Sequence, residues 1–244
     1  MTPLLTSCLA FDTATEHLSI ALQVHGRVWS HEGPGGALAS TTLIPAIFDL
    51  LAQAGIGLRD LDAIAFGRGP GAFTGLRTAC SVAQGLAFGA DLPVLPIDTL
   101  LAVAEDARQS RGAPAHDDVW VAMDARMDQV YTAAYEWRSD WQCVQAPSVN
   151  SPENISVPTE WKDLAFTTVG NAWDAFAARS PAELSGQHMY AMPTAQALLR
   201  LSPVAFGQGL AVPPEEALPH YIRDKVAQTT QERAQLKLAT TIST

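Results

Sequence analysis

Two aspartates stand at the ends of apolar runs that turn back on themselves. Asp12 ends the first run of "CLAFDTATEHLSIAL" and is followed by Thr13; Asp124 occupies the matching place in "VAMDARMDQVYTAAY". A carboxylate at a hairpin tip can hold magnesium through water, and two of them flanking a cleft can manage nucleotide phosphates. A turn carboxylate can equally do no more than cap its own backbone amides. One functional reading is therefore a small ATPase or kinase that uses Asp12 and Asp124 across a cleft.

The stretch "FGRGPGAFTGLR", residues 66–77, places Gly67, Gly69, Gly71 and Gly75 around Pro70 at the mouth of a helix. It does not read as a phosphate loop of the G-x-x-x-x-G-K-[ST] type, because Leu76 and Arg77 follow Gly75 where a lysine and a hydroxyl are needed. Nor is it G-x-G-x-x-G, since Thr74 takes the third glycine position after Gly69 and Gly71. The loop can still meet an anion through its amides, or serve only to turn the chain. In the helix beyond it, Gly75, Ala79, Ala83 and Ala87 recur every four residues, while Ser81, Gly85 and Gly89 make a second small-residue row. Such rows let another backbone come close. Leu76, Val82 and Leu86 lie between them, so either one side meets a partner or the whole helix is buried in the chain's own core.

Other chemistry finds little support. The six histidines show neither H-E-x-x-H nor H-x-x-x-H spacing, and Cys8, Cys80 and Cys143 form no C-x-x-C pair. No serine sits in a G-x-S-x-G elbow. The three cysteines read as reduced, mostly buried thiols of the cytoplasm.

The elements that must position these residues follow from periodicity. Strand-like runs flank Asp12–Thr15, and a third strand follows His25-Gly26, giving an antiparallel meander. Helical spacing covers about 40–54 despite Pro45, with Leu43, Ile47 and Leu50 on one face. A strand over 61–66, a helix over 74–90, a strand over 92–97 and a helix capped by Asp98 come next. Residues 111–118, "RGAPAHDD", read as a boundary. Beyond it, Asp124 aligns on Asp12 at an offset of 112 residues, which suggests a duplicated strand–turn–strand unit. Residues 147–158 read as a loop, 166–169 as a strand, and 193–206 as a helix. The expected division is 1–110, 111–223 and a polar tail, 224–244.

With 244 residues, 48 % hydrophobic, the chain can bury a proper core as a soluble globular protein. A net charge of −10 with only three lysines argues against holding nucleic acid unaided. The opening residues lack a basic n-region, and no apolar run approaches the roughly 18 residues of a membrane span, so a cytoplasmic location is expected.

Taken together, "CLAFDTATEHLSIAL", "LDAIAFGRGPGAFTGLRTACSVAQGLAFG", "VAMDARMDQVYTAAY", "VGNAW" and "PHYIR" resemble the successive blocks of the bacterial TsaB (YeaZ) family, the dimerization subunits of the tRNA threonylcarbamoyladenosine-forming complex. The resemblance spans residues 8–223. It implies an α/β fold of the actin/Hsp70/sugar-kinase (ASKHA) class, with two related subdomains, each a mixed sheet flanked by helices. It also implies a non-catalytic scaffold that heterodimerizes with TsaD, the subunit transferring threonylcarbamoyl to the adenosine beside the anticodon of ANN-decoding tRNAs. TsaE would join the pair, a homodimer is the alternative assembly, and tRNA would be met only through the complex; no membrane is involved. The metal-binding H-x-x-x-H of TsaD corresponds here to "ALASTTLIPAI", with Ala39 where TsaB relatives often keep one histidine, and a glycoprotease assignment is set aside. Asp12, Thr13 and Asp124 become vestigial nucleotide-site candidates, with no metal and no cofactor of the isolated chain; ATP and magnesium would enter in the assembled complex. The family's helical bundle selects the partner reading of the two helices, with Leu43, Ile47, Leu50, Gly75, Leu76, Ala79, Val82, Ala83 and Leu86 as the interface. On that reading Trp at position 79 or 83 blocks the partner and spares the monomer.

Overall fold

The computed structural model describes residues 5–162, 164–181, 184 and 188–223. The tail expected over 224–244 lies outside the described residues. The meander forms as its alternation requires: β1 (Ser7–Asp12), β2 (His17–Val24) and β3 (Arg27–Pro34) pair antiparallel, with Asp12 opposite Ser19. β4 (Ala63–Gly69) and β5 (Val94–Asp98) then add in parallel, giving the order β3-β2-β1-β4-β5.

β1 is buried along its whole length because helices cover both faces of this sheet. Leu9, Phe11, Ile20, Ile64 and Phe66 point to one face, where α1 (Ala39–Ala54) and α2 (Phe73–Ala90) pack. The other face is lined by small residues, Cys8, Ala10, Ala21, Ala63 and Ala65, and takes α3 (Thr99–Ser110) and α5 (Ala195–Gly207). Short side chains there let those helices lie close. Asp98 caps α3 as expected, its carboxylate accepting from the Leu100 and Leu101 amides. α1 runs through Pro45 without ending. With α1's lead-in turn, Gly36–Ala54 makes 19 residues of mean hydropathy 1.4. It thus does reach the length and apolarity of a membrane span, contrary to the expectation from sequence. The physical reason is that it covers a sheet: Leu43, Ile47, Leu50 and Leu51 pack into the core beside β2 and β3.

The second sheet repeats the first. β6 (Asp117–Asp124), β7 (Val130–Trp137) and β8 (Trp141–Asn150) form an antiparallel meander, and β9 (Thr167–Val169) and β10 (His188–Met189) add in parallel beside β6. Read from its far edge, the order is β8-β7-β6-β9-β10, the same plan as the first sheet with β6 in the place of β1. The 112-residue internal match therefore has a structural basis, an actin- and sugar-kinase-like fold of two related lobes. β8 extends through 147–150, where a loop was expected, because its pairing with β7 continues to Asn150 opposite Val130.

Chain order and packing do not coincide everywhere. α5 comes from the C-terminal half yet packs on β1, β2, β4 and β5, while α3 lies between the sheets and touches β6, β7 and β9. Tyr135 of β7 donates its hydroxyl to Asp98 at 3.1 Å, and Trp141 of β8 donates its indole N–H to the buried Glu105 of α3 at 3.0 Å. A small α4 (Trp173–Phe176) and Trp161 cover the outer face of the second sheet, where Trp173 packs on Trp120 of β6.

Candidate functional site

The glycine loop is spent on the β1–β2 turn. Asp12 is 1 % exposed; its Oδ1 accepts from the Ala14 amide at 2.7 Å and its Oδ2 from Thr99 Oγ1 at 3.3 Å. A Cβ on Gly67 would overlap Asp12 Oδ2, one on Gly71 would press on Ala14, and one on Gly75 would overlap the Thr13 carbonyl. Thr13 donates its hydroxyl to the Gly75 carbonyl at 2.7 Å, and Ala72 N–H donates to the Ala14 carbonyl at 2.7 Å. The loop thus closes on this turn through its bare backbone. Burial pushes the Asp12 carboxyl up to about 6.

The β6–β7 turn is more open. Asp124 is partly buried, and its carboxylate accepts from Arg126 N at 2.7 Å and Arg126 Nη1 at 3.2 Å. Asn171 Oδ1 accepts the Asp124 amide at 2.8 Å. Arg126 also reaches Glu16 on the opposite turn at 3.1 Å, joining the two hairpins. Between them lies a cleft of about 370 Å³, lined among others by Thr15, Glu16, Asp124, Arg126, Tyr131 and His220. Asp124 lines this cleft and Asp12 does not, so the structure does not gather the two aspartates into one cation site. Among the described residues no group of three or more His, Cys, Asp or Glu is placed to hold a metal ion. A magnesium–phosphate group does not fit these residues as they stand: one carboxylate is sealed under Gly67 and Thr99, and the other is held by Arg126.

The residues expected to form a partner interface divide in two. Leu43, Ile47, Leu50, Gly75, Leu76, Ala79 and Ala83 are buried, and Ala79 and Ala83 have no exposed surface at all. The Gly75–Ala79–Ala83 row faces the chain's own sheet and β1–β2 turn, which corrects its assignment to a partner; Val82 and Leu86 are only partly buried. The residues alone leave the inward face of α2 open, and it is the family resemblance that points to the row which the structure buries. The opposite faces carry Ile44 and Phe48 of α1 and Phe88 of α2, the last 80 % exposed. Gly85 and Gly89 of the second small-residue row lie on the open side of α2, where an added Cβ would meet nothing within 4 Å. The available signal was Ile44 and Phe48, four apart on the side of α1 that also carries Thr41 and Asp49.

Comparison with known proteins agrees with this architecture. Residues 37–231 match the family model described as TsaD, tRNA N6-adenosine threonylcarbamoyltransferase. The tRNA threonylcarbamoyladenosine biosynthesis protein TsaB of Haemophilus influenzae is 38 % identical over 227 residues, covering 89 % of this chain and 94 % of the relative. The protein of the same name from Escherichia coli K12 is 34 % identical, covering 90 % and 95 %. The chain belongs to the TsaB (YeaZ) family. The solved structure of YeaZ from Pseudomonas aeruginosa superposes with a TM-score of 0.80 at 39 % identity, over 88 % of this chain and 99 % of that one. Because this TsaB-family chain also matches the TsaD family model across both lobes, the two families share one fold. Within that fold, this chain buries Asp12 under the glycine loop and bridges its two turns through Glu16–Arg126.

Proposed function

We propose that this chain is a non-catalytic subunit in tRNA threonylcarbamoyladenosine biosynthesis that pairs, through the open faces of α1 and α2, with a TsaD-family transferase. The carrying observation is the exposed Ile44, Phe48 and Phe88 on two helices whose other faces already fill the core. Gly85 supports it. A glycine inside a helix costs about 1 kcal/mol relative to alanine, and among the described residues nothing would touch a Cβ there. A partner of the same fold, as the match to the TsaD model implies, presents an equivalent helix pair, so the contact is a pseudo-symmetric bundle or, between two copies, a homodimer. The acidic balance fits a protein that meets tRNA only through its complex. In this reading the chain works in the cytoplasm, TsaE joins the pair, and ATP with magnesium enters only where the partner completes a site.

Light scattering on the chain mixed with its cognate TsaD tests the reading. Wild type is expected to give the mass of a heterodimer, and Phe48→Asp or Phe88→Asp to abolish it while leaving the melting temperature of the free chain within a few degrees. Undiminished complex formation by both variants would refute it.

A further inference from the structure

After α5 the chain passes from one lobe to the other without regular secondary structure, along residues 217–223. It is fastened first to α2. The Ala217 carbonyl accepts from Cys80 Sγ at 3.2 Å and Gln84 Nε2 at 2.9 Å. His220 donates its amide to the Arg68 carbonyl at 2.7 Å. The Tyr221 ring packs on Phe73 with centroids 5.2 Å apart, and its hydroxyl accepts from Arg77 Nε at 3.1 Å. Two residues further on, the chain holds the other lobe: Arg223 Nη2 donates to the Ala125 carbonyl at 2.8 Å and the Arg126 carbonyl at 3.3 Å, with its guanidinium 5.8 Å from the Tyr131 ring centroid.

The β6–β7 turn needs holding. Arg126, Met127 and Asp128 have φ of 60°, 54° and 61°, three consecutive left-handed residues that carry side chains, a conformation L-residues adopt at a cost. Besides its own hydrogen bonds, the turn is held from outside by Arg223 on its carbonyls and Arg179 on the Asp128 carboxylate at 2.9 Å. The same turn reaches the first lobe through Arg126–Glu16, and the β1–β2 turn returns to α2 through Thr13–Gly75. The contacts close a ring around the cleft.

We propose that residues 217–223 are a strap coupling the first turns of α2 to the β6–β7 turn and so fixing the opening of the cleft, with Arg223 as its positioning residue. The proposal concerns the free chain and stands apart from any partner. Hydrogen exchange on the full chain tests it at the Ala125 and Gln129 amides, which the turn itself bonds. Both Arg223→Ala and Tyr221→Ala are expected to speed exchange there about tenfold, although the Tyr221 ring and hydroxyl bind α2, while β1 and β4 amides keep their protection. Wild-type exchange at the turn in Tyr221→Ala would overturn the coupling and leave Arg223 a local cap. Should the β1 and β4 amides also speed up, Tyr221→Phe decides, because it removes only the hydroxyl. About threefold faster exchange at the turn is then expected, and an unchanged rate overturns the proposal.

Discussion

Thr13 donates its hydroxyl to the carbonyl of Gly75 at 2.7 Å, and a Cβ on Gly75 would overlap the Thr13 carbonyl oxygen. The first turn of α2 and the β1–β2 turn are in backbone contact, and only a residue without a side chain permits it. Gly75→Ala is therefore expected to destabilise the chain by about 1–3 kcal/mol or more, because backbone on both sides must shift. Urea unfolding with an unchanged m-value measures the loss; a midpoint at the wild-type position would show that the turns can part freely.

Gly85 and Ala79 make the opposite pair of tests on the same helix. An added Cβ at Gly85 meets open space, so Gly85→Ala should be neutral or stabilise by up to about 1 kcal/mol through helix propensity. Gly85→Trp should spare the fold and block the partner. Ala79 has no exposed surface, so Ala79→Trp should unfold the monomer rather than merely release a partner. Thermal unfolding of the two Trp variants, followed by co-purification with TsaD, separates them: a folded Ala79→Trp chain would contradict the packing described above.

Much of this architecture is legible in the residues. Alternation around Asp12 and Asp124 marks both hairpins, and Asp98 announces α3. What periodicity could not settle is which face of a helix rich in alanine looks inward, because Ala79, Ala83 and Ser81 differ too little in hydrophobicity to orient α2. The orientation is decided by long-range partners instead, the Thr13 carbonyl at Gly75 and the sheet residues Phe11 and Phe66. The strap was invisible for a related reason: Tyr221 and Arg223 find their partners 144 and 98 residues away, a separation no local pattern reports.

Asp12 gives a pH-dependence with a definite sign. Burial raises its folded-state value from 3.8 to about 6, so between those values the folded chain binds a proton that the unfolded chain does not. Its contribution favours folding at low pH and fades as pH rises through about 6. Asp12→Asn keeps an acceptor for the Ala14 amide and removes the charge. It should gain stability relative to wild type as pH rises from 4 to 7, by up to about 3 kcal/mol. Asp98, Asp106 and Glu32 are also raised by burial and titrate in both proteins, so the difference between the two stability curves isolates Asp12. Parallel curves would mean that water reaches the carboxylate.

Asp98 serves two structures at once. Its Oδ1 caps α3 through the Leu100 and Leu101 amides, and its Oδ2 accepts the Tyr135 hydroxyl from the second sheet. Asp98→Ala removes the cap, worth about 0.5–2 kcal/mol, and strands a buried phenol, at about 1–3 kcal/mol more. Tyr135→Phe removes the hydrogen bond and its donor while leaving the cap, so a smaller loss, about 0.5–1.5 kcal/mol, is expected. If the two lobes lean on this contact, the double variant should cost less than the sum of the singles, since the stranded phenol is absent from it. A double-mutant cycle by urea unfolding measures that coupling, and strict additivity would show that α3 and the second sheet do not share Asp98.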